Sequence, residues 1–153
     1  MVTIEIGVPA AKVALVRADN PSPMTLDGTN TWIVGREGAS LVIDPGPEDR
    51  AHIDAHDHLD HSAGLEAAAA ALGGVPILRF GDDFTGLPIE ATHTPGHAAD
   101  HLVFHFSAGG RSALFSGDLI LGRSSTIVPP GGGTLIAYLN SLQTLLELAP
   151  DVI

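Results

Sequence analysis

The segment His56-Asp57-His58-Leu59-Asp60-His61 places three histidines and two aspartates in six consecutive positions, and it constrains this chain more than any other stretch. Imidazole and carboxylate are the ligands that borderline divalent cations such as zinc prefer. Crowding them together without a cation wastes their solvation and sets the Asp charges against each other. The bland alternative is a polar surface loop rich in histidine. The rest of the chain weighs against it by supplying the partners that a metal site needs.

All eight histidines fall between His52 and His105, and those at 93, 97, 101 and 105 are spaced by four. That spacing suits one stripe of a helix, but Pro95-Gly96 interrupts it, and the alternation after Asp100 favours a strand. His97 follows Thr94-Pro95-Gly96 on a tight turn at a strand end, where a loop holds a functional group at the edge of a sheet. His52, His93 and His105 read as surface or packing residues.

At 153 residues, 44% of them hydrophobic, the chain suits one domain with a real core. Seven basic residues stand against eighteen acidic ones, for a net charge of −11, and the cations are scattered. This speaks against an extended nucleic-acid surface and leaves a small-molecule or short anionic substrate open, because a bound metal would supply local positive charge. The absence of cysteine excludes disulfides and thiolate ligands. No secretory signal or membrane span is visible in the sequence, so a cytoplasmic location is the default expectation.

Along the chain, Val13–Val16, Thr31–Val34 and Leu41–Ile43 read as a meander of short strands, the last ending at Asp44-Pro45-Gly46. Ser62–Leu72 is alanine-rich and helical, with Ser62 or Asp60 as its cap and Gly73-Gly74 as its stop. Strands are expected at Pro76–Phe80, Pro88–Thr92, His101–Phe106 and Ala113–Ser116. An amphipathic helix is expected from Thr134 to Leu148, with apolar positions at Leu135, Leu139, Leu142, Leu145, Leu146 and Leu148. Strands precede helices twice, which predicts an α/β fold with helices packed over sheets.

These motifs, in this order, resemble the metallo-β-lactamase superfamily. His56-x-His58-x-Asp60-His61 is similar to its H-x-H-x-D-H signature, Thr94-Pro95-Gly96-His97 to its third-histidine turn, and Ser116-Gly117-Asp118 to the loop of its bridging aspartate. The stretch from Asn20 to Trp32 looks like the β-lactamase-like hydrolase branch that includes an endoribonuclease. The resemblance implies an αββα sandwich formed by one domain over residues 1–153. It also implies a two-zinc hydrolase: His56, His58 and His97 on one metal, Asp60 and His61 on the second, and Asp118 bridging a pair ~3.5–4 Å apart. Asp60 would both ligate and orient a metal-activated hydroxide, which forms near a pH of about 7 on zinc. Asp44 and His101 would support the ligands from behind. The implied substrate is an ester, thioester, amide or phosphodiester.

Two departures qualify what is implied. The family places a helix and a core strand between the D-P-G turn and the His-rich loop, which takes more than about fifteen residues. Only Glu48–Ala55 is available here, and Ala55 stands where the family usually has Thr. The family also continues past the last helix into a strand and a Gly-His that ligates the second metal, whereas this sequence runs to Asp151-Val152-Ile153. The expectation is therefore a shortened, truncated member with one complete zinc site and one lacking its final histidine. Alternatives are a catalytically impaired metal-binding remnant or a His-rich metal-binding protein.

Overall fold

A computed structural model describes residues 2–4, 11–22, 25–36, 39–44, 64–79, 81–82 and 89–153. The motif residues His56, His58, Asp60 and His61 lie outside the described residues. The chain forms two compact units, residues 1–77 and 78–153.

The first unit is an antiparallel meander of four strands in sequence order: β1 (Val2–Ile4), β2 (Ala11–Arg17), β3 (Asn30–Arg36) and β4 (Ala39–Ile43). Side chains alternate across a strand, and the register sets Val13 opposite Val34 and Val34 opposite Leu41. Leu15, Trp32 and Ile43 continue that row, so the middle of this face is apolar, with Val13, Val34 and Ile43 buried and Arg17, Asn30 and Arg36 at its ends. The loop between β2 and β3 is closed by a buried amide. Asn20 Oδ1 accepts from the Thr29 N–H at 2.9 Å, and its Nδ2 donates to Thr29 Oγ1 at 3.1 Å.

The expected alanine-rich helix is present as α1 (Leu65–Ala71), but it starts later than the sequence suggests. Its cap is Gly64, which offers no side-chain hydrogen bond. The cap candidates Ser62 and Asp60 lie outside the described residues. The strand predicted over Pro76–Phe80 does not form at residues 76–79. Pro76 has no N–H to give a ladder, and Arg79 enters a turn in which its N–H donates to Asp82 Oδ2 at 2.7 Å.

The second unit holds a three-stranded antiparallel sheet in the order β5 (Ile89–His93), β6 (Leu102–Ala108), β7 (Arg111–Phe115), then a short 3-10 turn (Gly117–Leu119) and helix α2 (Leu135–Leu148). The four-residue histidine spacing thus spans two strands and a turn rather than one helix. Helix α2 lies over the sheet. Leu145 joins Val103, Leu114 and Leu119 in a buried cluster, with Tyr138, Leu142 and Leu148 packed against it. The inward stripe is therefore 138, 142, 145 and 148; Leu135, Leu139 and Leu146, which the sequence places on the same stripe, are exposed instead. After α2 the chain meets β7 in parallel, with the Leu114 N–H donating to the Val152 carbonyl at 2.9 Å.

Thr134 caps α2, its hydroxyl accepting from the Ala137 N–H at 3.1 Å. Thr134→Ala is expected to remove about 1 kcal/mol of stability, read as a lower urea midpoint with an unchanged slope. An unchanged midpoint would mean that water satisfies this helix end equally well.

Candidate metal centre

Two strand ends carry the site. At the end of β5 the chain turns through Thr94-Pro95-Gly96-His97. Thr94 is fully buried; its N–H donates to the His101 carbonyl at 2.9 Å, and its hydroxyl meets His101 Nδ1 at 3.0 Å. Gly96 adopts φ +151, and its N–H donates to the Ala98 carbonyl at 3.1 Å. The turn delivers His97 in a buried position.

At the end of β7 the chain enters Ser116-Gly117-Asp118. Gly117 has φ +49, and the turn closes with the Leu119 N–H donating to the Ser116 carbonyl at 3.1 Å. Fully buried Leu119 anchors this turn in the core beside the sheet. The Thr126 hydroxyl donates to the Asp118 carbonyl at 2.5 Å, so Asp118 is held through its backbone while its carboxylate remains partly exposed.

The result is a close facing pair, with His97 Nε2 3.4 Å from Asp118 Oδ2. The other ring nitrogen settles what that contact is. His97 Nδ1 lies 2.8 Å from the Ile127 carbonyl, which can only accept, so Nδ1 carries the proton. In the neutral ring Nε2 is then an acceptor, and it lies beside an anionic oxygen. Two acceptors at this distance favour a proton or a cation between them. A backbone carbonyl fixing Nδ1–H is also how metal-ligating histidines are oriented. Ligands about 2.0–2.1 Å from a tetrahedral zinc stand about 3.3–3.4 Å apart, so the pair fits two corners of such a site.

His101 sits between the two turns. Its Nδ1 is engaged by Thr94, and its Nε2 lies 2.9 Å from where a side chain on Gly117 would begin. Its ring stands edge-on to His97, with centroids 6.3 Å apart. The second unit thus brings together His97, Asp118 and His101 of the residues singled out in the sequence. Asp44 closes β4 in the first unit, in the left-handed region at φ 53. His93 bonds the Ala99 carbonyl at 2.8 Å, and His105 pairs in register with Glu90 and Leu114. Among the described residues, no group of three or more His, Cys, Asp or Glu is placed to hold a metal ion. The remaining expected ligands belong to the segment outside those residues. Sequence reasoning missed Thr126, Ile127, Tyr138 and Ser141, whose contacts are made through backbone carbonyls and carry no local signal.

Residues 67–153, more than half of the chain, match the metallo-beta-lactamase superfamily, and the chain belongs to that family. Its α/β fold is that of the superfamily. The chain is 30% identical over 179 positions to beta-lactamase-like protein 2 homolog of Drosophila melanogaster, covering 86% of this chain and 59% of that protein. It is 32% identical over 171 positions to lactamase-like protein aptB of Emericella nidulans, covering 90% and 53%. It is also 32% identical over 164 positions to atrochrysone carboxyl ACP thioesterase of Aspergillus chevalieri, covering 86% and 51%. The chain thus spans about half the length of the curated relatives it matches. These alignments are longer than the chain itself, so each relative has internal residues with no counterpart here. Among solved structures, the crystal structure of TTHA1623 in a di-iron-bound form aligns with a TM-score of 0.54 at 20% identity, over 99% of this chain and 89% of that one.

Proposed function

We propose that this chain is a single metallo-β-lactamase-like domain of a metal-dependent hydrolase acting on a small ester or thioester. The observation that carries the reading is the approach of His97 Nε2 to the Asp118 carboxylate at 3.4 Å, with Nδ1 tied to the Ile127 carbonyl. His56 and His58 would join this pair around one divalent cation, zinc or iron, and Asp60 and His61 would serve a second. Bound there, the cation supplies Lewis acidity and lowers the pKa of water toward neutrality. Asp60 would orient the attacking water, and Asp118 would hold its place through the backbone contact to Thr126. His101, wedged between Thr94 and Gly117, would keep the two turns in register.

The likeness to a protein named as a thioesterase supports an acyl substrate. So does the charge of −11 without a cationic cluster, which disfavours long polyanions such as RNA. Among the described residues, no helix is long and apolar enough to cross a membrane.

The test is elemental analysis of the purified chain together with turnover of ester, thioester and phosphodiester panels. About one tightly held divalent ion per chain is expected, with thioester or ester hydrolysis abolished in His58→Ala. A chain that holds no metal and is no faster than His58→Ala would overturn the proposal. Metal without turnover would identify a remnant that binds but does not catalyse.

A further inference from the structure

Helix α2 touches both turns that carry the facing pair, and it does so through two polar side chains on one face. Ser141 Oγ donates to the Pro95 carbonyl at 2.7 Å, two residues before His97. Tyr138 Oη donates to the Leu119 carbonyl at 3.1 Å, one residue after Asp118. Positions three apart lie side by side on a helix, so the two carbonyls are held one turn apart along a single rigid element.

Neither contact is what helix formation alone would produce. Ser141 is buried in the middle of an otherwise apolar stripe, where a serine weakens a helix and usually bonds back to its own preceding turn. Thr144 on the same helix does bond back, donating to the Asn140 carbonyl at 3.2 Å. Ser141 instead reaches a carbonyl 46 residues away. Between the two hydroxyl contacts, the backbone of Tyr138 fills the space beside Gly96, so the turn cannot move toward the helix.

We infer that Tyr138 and Ser141 are positioning residues that set the separation of His97 and Asp118, with α2 as the ruler between the two strand ends. The inference rests on the proposed metal centre for its use, but not for its geometry. Holding ligands to within a fraction of an ångström requires such outer contacts, and their loss typically weakens metal affinity about 10–100-fold.

The experiment uses the whole chain and three variants: Tyr138→Phe, Ser141→Ala and, as a control, Ser112→Ala. Ser112 makes its hydrogen bonds to Asp151 at the other end of β7. Two readouts are taken. In metal-free protein, ring ¹⁵N shifts report the His97 tautomer; cobalt(II) titration, followed by its visible absorption, reports affinity. The wild-type chain is expected to show a fixed Nδ1–H tautomer. Each α2 variant is expected to lose about 10-fold in cobalt affinity and to show an averaged His97 signal. Ser112→Ala should lower the melting temperature comparably and change neither readout.

Wild-type cobalt affinity and a fixed tautomer in both α2 variants would overturn the inference. Should Ser141→Ala not fold, Tyr138→Phe decides alone. A wild-type chain that takes no cobalt would count against the metal centre. The ruler would then stand or fall on the metal-free His97 signal.

Discussion

Gly96→Ala is expected to cost about 3 kcal/mol or more of folding stability. A Cβ at position 96 would lie 2.5 Å from Tyr138 Cα and 2.8 Å from its backbone nitrogen. These are helix backbone atoms, which cannot swing aside as the end of a flexible side chain can. Retreat the other way is blocked as well, because Gly133 packs so closely that its own Cβ would overlap the Gly96 carbonyl. The φ of +151 adds strain for any residue with a side chain. Gly131→Ala is the matched control: it has φ +88 but open space around it, so it should cost only the left-handed strain of about 1–2 kcal/mol. Urea unfolding of both variants measures the difference. Equal losses would show that α2 yields to the turn and would remove the steric half of the argument.

The same glycine shows what a sequence can and cannot reveal about this fold. Pro95-Gly96 is legible as a turn because those residue types restrict or free the backbone locally. The meander is legible for a similar reason: Val13, Trp32, Val34 and Ile43 alternate with the period that a half-buried sheet imposes. Failures begin where a third element decides. Pro76–Phe80 has the composition of a buried strand, but an apolar run of that length carries no period, and Arg79 is taken by the Asp82 turn. In α2, leucines occur on both sides of the helix, so spacing alone does not say which set faces the sheet. The structure selects Leu142, Leu145 and Leu148 because Val103, Leu114 and Leu119 are there to receive them.

The site divides along the same line. His97 and Asp118 are legible from their turns, since the chemistry needs those residue types on rigid strand ends. The contacts that fix their orientation are not. Ile127 acts through its carbonyl, which every residue possesses, and lies 30 residues from His97. Tyr138 and Ser141 read as an aromatic and a small residue on a core face, since nothing adjacent in sequence marks the carbonyls they reach.

Asp118→Asn is expected to separate function from stability, because the two should move apart. With Nδ1 donating to Ile127, His97 Nε2 offers only a lone pair to its neighbour at 3.4 Å. An asparagine amide can donate to that lone pair, whereas a carboxylate repels it unless a proton or a cation intervenes. The metal-free variant should therefore be as stable as the wild-type chain or slightly more so, within about 1 kcal/mol, in keeping with a partly exposed pair. Its backbone anchor, the Thr126 hydroxyl on the Asp118 carbonyl, is unaffected by the change. Metal binding should suffer on two counts, since an anionic ligand is lost and the imidazole lone pair is engaged by the amide. Bound metal and hydrolysis are expected to fall at least about 100-fold, which is about 2.7 kcal/mol. Thermal melts of chelator-treated protein beside metal analysis and turnover give both quantities from one preparation. A parallel loss of metal-free stability would reduce Asp118 to a structural residue of the turn. Retained metal and turnover would remove it from the site altogether. The opposed pair of shifts is expected only if the His97–Asp118 contact is built for a cation and tolerated without one.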